Sequence, residues 1–148
     1  MPYKNASNTY KETTIKTAGQ GQLIVMLYDE AIKQLGKAVE LLELNNTDKK
    51  DPGRIEQISK AVMKTEEIIT ELMVSLDFEQ GGEISKNLFS LYSWFNRELL
   101  EANISRDIDR MLTVKGMLSD LRNTWSTITI QNPVEQPNRE TVGLNIAG

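Results

Sequence analysis

The 148-residue sequence contains no cysteine and no histidine. Without cysteine there is no disulfide and no thiolate catalysis. Without histidine the commonest general base and the commonest transition-metal ligand are missing together. No apolar run approaches the roughly 20 residues that span a bilayer. The opening stretch, Met1-Pro2-Tyr3-Lys4-Asn5-Ala6-Ser7-Asn8, carries no apolar h-region of the secretory type, which predicts a cytoplasmic protein. Net charge is -4 and no basic run exceeds Lys49-Lys50, so nucleic acid and anionic membranes are poor partners. What remains is ordinary globular material: 39% hydrophobic and 26% charged residues, long enough for one domain with a real core.

The apolar residues are arranged at helical spacing. The organising stretch is Leu23-Ile24-Val25-Met26-Leu27-Tyr28, continued by Ala31, Leu35, Ala38, Val39 and Leu42 three or four positions apart. Around residues 23–27 the pattern is apolar nearly all the way round, so that part of the helix is either sunk in a core or has two sticky faces. A first helix is expected from about Gln22 to Leu44, entered through a flexible Gly19-Gln20-Gly21. A second is expected from about Gly53 to Leu76, capped by Asp51 with Pro52 at its first position. Its stripe is Ile55, Ile58, Val62, Ile69, Leu72 and Leu76. Gly81-Gly82 stops that pattern. A third helix is expected from near Glu83 to Ala102 on Ile84, Leu88, Leu91, Tyr92, Phe95 and Leu99, ending at Asn103, with Ser105 as the next cap. A fourth should run from about Arg106 to Ile128 on Ile108, Met111, Leu112, Val114, Leu118, Leu121 and Trp125. Residues 131–148 hold two prolines, two glycines and three asparagines without helical period, a mobile tail by composition.

Four similar helices with short connections predict an all-α, antiparallel up-down-up-down four-helix bundle. Residues 1–21 form a mobile arm, 22–130 the bundle domain and 131–148 a disordered tail. Catalytic readings fail one by one. A di-metal bundle needs inward Glu-x-x-His motifs, whereas Glu40, Glu43, Glu66, Glu67, Glu98 and Glu101 fall mainly off the stripes. Gly81-Gly82 lacks the lysine and spacing of a phosphate loop. Asp107 and Asp109 lack the glycine and glutamate of a calcium loop. No enzyme, metal or cofactor is expected. Phe89 and Trp94 lie off the third helix's stripe, and Met26, Met63, Met73, Met111 and Met117 add a soft, adaptable component, either partner surface or gap-filling core. Excess apolar surface on two helices predicts a groove for an amphipathic segment.

These residues form a recognisable series. Thr17-Ala18 before Leu23-Ile24-Val25-Met26-Leu27-Tyr28-Asp29-Glu30-Ala31-Ile32 resembles the opening motif of the FliS family, the flagellin export chaperones. Leu76-Asp77 with Gly81-Gly82-Glu83-Ile84, then Asn87-Leu88, Leu91-Tyr92, Leu99, Ala102-Asn103, Leu121-Arg122 and Trp125 follow in the family's order, and Tyr10 sits where it carries an N-terminal tyrosine. Gly19 and Gln20 depart from its usual serine and proline, and Glu30 from its common glycine. The resemblance implies a chaperone that binds the disordered C-terminal segment of flagellin, prevents premature polymerisation and delivers it to the flagellar type III export gate. It leaves room for a co-chaperone. On motif match and helix face together, the flagellin-binding residues are expected to be Leu23, Met26, Leu27, Tyr28, Phe89, Tyr92, Leu121 and Trp125. Tyr10 and Ile15 of the arm would cover the groove. The expected free state is a monomer that forms a one-to-one complex. The competing reading is a non-catalytic bundle that homodimerises, or binds another helix, through the same apolar patch.

Overall fold

In the computed structural model the backbone is described for residues 2–48 and 51–131, and the side chains for residues 20–48 and 51–129. The side chains of Tyr10 and Ile15, the Lys49-Lys50 pair and the tail after Gln131 lie outside these residues. Four helices follow in order: α1 (Pro2–Thr47), α2 (Gly53–Val74), α3 (Phe78–Ser105) and α4 (Ile108–Gln131). Every described element is helical, as the 3.6-residue spacing predicts. The chain forms two compact units, Leu27–Leu121 and Met1–Met26 with Arg122–Gly148, and α1 and α4 contribute to both.

The Leu27–Leu121 unit contains the bundle. Its core is built from the predicted stripes: Ala31, Leu35, Ala38, Val39 and Leu42 on α1, Ile58, Val62, Ile69 and Leu72 on α2, Tyr92, Phe95 and Leu99 on α3, and Met111, Val114 and Leu118 on α4. Burying one such large apolar side chain stabilises the fold by about 1.5–3 kcal/mol relative to leaving it in water. Small residues let helices approach: a Cβ added at Gly36 of α1 would lie 3.3 Å from Lys115 Cε of α4. Thr65 is fully buried on α2 and satisfies its hydroxyl by donating to the Ala61 carbonyl at 2.9 Å.

The helix ends depart from expectation in instructive ways. α1 does not start at Gln22 but runs from Pro2 through Gly19-Gln20-Gly21. Glycine inside a helix is unfavourable by about 1 kcal/mol relative to alanine, which weakens a helix without breaking it as proline does. Asp51 caps α2 as expected, its Oδ1 accepting from Gly53 N at 3.0 Å, although Pro52 rather than Asp51 occupies the boundary position. α3 opens earlier than Glu83. Asp77 is its N-cap, accepting from Glu79 N and Gln80 N at 3.0 Å each, and a single helical turn then meets the break at Gly82 (φ 50°, ψ -121°). Glu83 therefore begins the long straight part, as the glycine pair suggests.

The left-handed residue that ends α3 is Arg106 (φ 57°), not Asn103. Asn103 stays helical because its side chain is engaged. Its Oδ1 accepts from Arg106 Nη1 at 2.9 Å, and the Asn103 carbonyl takes a second bond from the same guanidinium nitrogen. These bonds offset the unfavourable backbone of a non-glycine residue in this region. Asp107 rather than Ser105 then caps α4, its Oδ1 accepting from Arg110 N at 3.2 Å. Ile84 and Leu112, read as stripe residues, are exposed. Leu112 adjoins the buried Met111 and Ile84 the buried Ser85, each without sharing that neighbour's face, so apolar character alone misplaced them.

Candidate functional site

The apolar side chains left over by the core are the raw material of any partner site. Of the residues expected to meet a partner, Leu27, Tyr28 and Tyr92 lie in the core of the Leu27–Leu121 unit. Tyr28 and Tyr92 join α1 to α3 by a mutual hydrogen bond between their hydroxyls, with ring centroids 6.5 Å apart. Tyrosine can be buried this deeply only when its polar tip is satisfied, and each hydroxyl satisfies the other. Burial raises the Tyr92 phenol above its ordinary value, and the bond to Tyr28 partly offsets the rise. Phe95 continues the aromatic column at 6.3 Å from Tyr92, and Trp94 lies beside it at 5.9 Å with its ring tilted by 56°.

Phe89 is 43% exposed and meets Phe78 edge-on with centroids 6.0 Å apart. Phe78 carries no signal in the sequence, because it stands before the glycine break, outside the expected third helix. Leu121 is half-buried on α4.

In the Met1–Met26 and Arg122–Gly148 unit, α1 and the end of α4 come together closely. A Cβ on Gly21 would stand 2.6 Å from Thr129 Oγ1, so α4 occupies the space a larger residue would need. This approach accounts for glycine at 21 within a continuous helix. Beside it Leu23, Met26 and Trp125 are half-exposed and Ile128 is exposed. Leu23 and Met26 share a face of α1 three positions apart, and Trp125 and Ile128 do the same on α4. Ile128 is hard to find from sequence because it reads as the frayed last turn of the helix.

Two open grooves cross the Leu27–Leu121 unit. One of about 220 Å³ lies between α1 and α2, lined by Gln34, Lys37, Gln57, Lys60, Ala61 and Lys64. The other, of about 500 Å³, lies between α2 and α3, lined by Met63, Glu66, Glu67, Thr70, Asn96, Arg97 and Leu100. Asn96 Nδ2 donates to Thr70 Oγ1 at 3.2 Å, while Asn96 Oδ1 is buried and accepts no hydrogen bond among the described residues. Neither groove gathers a catalytic constellation, and among the described residues no group of three or more His, Cys, Asp or Glu could hold a metal ion. No helix among the described residues is long and apolar enough to cross a membrane.

Burial holds the Glu66 carboxyl above its ordinary 4.5. The folded state thus prefers the protonated acid, and the preference is a stability penalty once the group ionises. Below pH 4.5 the penalty is absent. It grows as pH rises from 4.5 through the folded-state value and is complete above that. Glu66→Gln should therefore be more stable than the parent at pH 7 and equal to it below about pH 4.5, the unfolded-state value. Urea titrations at the two pH values check this; a variant equally or less stable at pH 7 contradicts it.

The comparison with known proteins fits this inventory of a helical chain with surplus apolar surface and no catalytic cluster among its described residues. The family model for the flagellar protein FliS matches residues 3–132. The chain is 36% identical over 118 residues to the flagellar secretion chaperone FliS of Salmonella typhimurium, covering 80% of this chain and 82% of that one. It is 33% identical over 128 residues to the protein of the same name from Escherichia coli, covering 83% and 89%. For the Bacillus subtilis protein of that name the figures are 28% over 125 residues, covering 84% and 86%. The chain belongs to the FliS family of flagellar secretion chaperones.

Proposed function

We propose that this chain is a cytoplasmic, non-catalytic export chaperone that binds the C-terminal segment of flagellin, blocks its premature polymerisation and hands it to the flagellar type III export gate. The observation that supports this most is the set of half-exposed apolar side chains, Leu23, Met26 and Trp125, where the middle of α1 meets the end of α4 in a member of this family. A segment that is disordered when free loses ordering entropy on binding, so its holder must offer a broad apolar surface in return. In the Leu27–Leu121 unit, Leu121 and Phe89 are the accessible members of the expected set, and the buried Leu27, Tyr28 and Tyr92 serve as framework. Methionine at 26 suits a surface that accepts and releases a sliding client, since its side chain repacks easily.

Tyr10 and Ile15 are proposed to cover part of this surface until flagellin displaces them. The test is an affinity series against a flagellin C-terminal peptide. Deleting residues 1–16 should tighten binding, because the competing segment is gone. Trp125→Ala should weaken binding at least about tenfold with little change in melting temperature, as loss of an aromatic anchor does. Weaker binding after the deletion would make the arm part of the site, and an unchanged affinity in Trp125→Ala would remove that residue from it.

A further inference from the structure

The groove between α1 and α2 is lined by positive charge in a chain whose net charge is -4. Lys37 stands on its α1 wall, Lys60 and Lys64 stand on its α2 wall, and the buried Ala61 lies between those two. The remaining lining residues, Gln34 and Gln57, are neutral, so no carboxylate lines the groove. Two acids contact its lining residues. Glu56 lies 3.7 Å from Lys60, with both side chains largely in water, a contact that solvent weakens and that an incoming carboxylate can replace. Glu30 accepts a hydrogen bond from Gln34 Nε2 at 2.9 Å. The face of α1 that carries Gln34 and Lys37 continues, three and four positions at a time, through half-buried Leu41 to Leu44, which is 48% exposed. Charge on both walls is thus followed by apolar surface about 10 Å further along α1.

We propose that the α1–α2 groove is a docking site for an acidic helical segment of a partner protein, one that carries two carboxylates a turn apart and an apolar side chain two turns beyond them. Charge complementarity selects this occupant. Lys60 and Lys64 are four positions apart, which separates them by about 6 Å along α2. Carboxylates at i and i+4 of a helical segment have the same separation, and Lys37 meets them from the opposite wall. The small Ala61 between the two lysines leaves the groove open, where a larger side chain would fill it. Leu41 and Leu44 then receive the apolar residue. Nucleic acid fits this surface less well. Its affinity comes from many phosphates met along a continuous basic stripe, whereas three lysines with Glu30 and Glu56 beside them match a short segment. The leucines also have nothing to offer a phosphate backbone. The groove shares no residue with the surface proposed for flagellin, so the inference goes beyond the chaperone reading and does not rest on it.

Fluorescence anisotropy of the full chain tests this with a labelled helical peptide of about 15 residues bearing glutamate at i and i+4 and leucine at i+11. The peptide should bind, and binding should weaken as salt rises from about 50 to about 200 mM, since exposed charges are screened. Lys37→Glu and Lys60→Glu should each weaken it at least about tenfold, and Leu44→Ser should weaken it several-fold. Lys86→Glu, at an exposed lysine of α3, changes the net charge by the same amount and should leave the affinity as it is. All four positions are exposed, so circular dichroism should show unchanged helix content. No binding at low salt overturns the proposal, and so does an unchanged affinity in any of the three groove variants. A loss in Lys86→Glu equal to that in Lys60→Glu overturns it as well, because net charge rather than the groove would then govern binding. So does displacement of the labelled peptide by oligothymidylate as readily as by unlabelled peptide, which would make the groove a general polyanion site.

Discussion

Phe95→Ala is expected to lower the stability of the chain by about 3–5 kcal/mol. Phe95 is fully buried and joins the aromatic column of Tyr28 and Tyr92, with the Trp94 ring 5.9 Å away. Truncation removes both the transfer term and the packing of every side chain around the void, and rigid helices on all sides limit collapse into it. A domain of this size is stable by some 5–15 kcal/mol in all, so the loss is a large share of the total. Urea denaturation reads it as a lower midpoint with an unchanged slope. A change below about 1 kcal/mol would mean that the column is not packed as described.

The glycine pair should give the second large effect, by two separable causes. At Gly82 the backbone stands at φ 50° and ψ -121°, and a Cβ there would touch nothing within 4 Å. Gly82→Ala is therefore destabilising through the backbone alone, by about 1–3 kcal/mol. At Gly81 the backbone is helical, but a Cβ would fall on the Ser85 side chain, whose buried hydroxyl donates to the Asp77 carbonyl at 2.9 Å. Gly81→Ala must displace that hydroxyl and should be destabilising by a similar amount, on the order of 1–3 kcal/mol for a buried polar group deprived of its partner. Adding Ser85→Gly should recover part of the loss in Gly81→Ala and none in Gly82→Ala. The same recovery in both backgrounds would contradict the division into a steric and a conformational cause.

These positions also show how far the residues alone could be read. Helical periodicity placed the core of α1 from Ala31 to Leu42, because three- and four-residue spacing has one geometric meaning. The break beside Glu83 was legible because only glycine is at ease in that conformation. The passage of α1 through Gly19 and Gly21 was not, since the reason for Gly21 is Thr129, more than a hundred positions away in the chain. The left-handed Arg106 was hidden for a related reason: the local rule favours asparagine, and the bonds that hold Asn103 helical come from Arg106 and Ser59. Surface and core were hardest to separate on α3. Tyr92 and Phe89 look alike as aromatic residues three apart. One closes a hydrogen bond with Tyr28 in the core, while the other rests on Phe78 near solvent.

The same ambiguity bears on function. The expected partner set mixed residues that the fold buries, Leu27, Tyr28 and Tyr92, with residues that it leaves accessible, Leu23, Met26, Phe89, Leu121 and Trp125. The Met63–Leu100 groove is invisible in the sequence because two isolated apolar residues on different helices have no common signature there. Only the antiparallel register of α2 and α3 brings them level.

The measurement closest to the centre of the account is calorimetric titration of this chain with flagellin from the same organism, whole and lacking its last few dozen residues. The proposed chaperone should bind whole flagellin with a negative heat-capacity change, the mark of apolar burial, and should show no binding to the truncated form. Equal heats for both forms, or none for either, would contradict it.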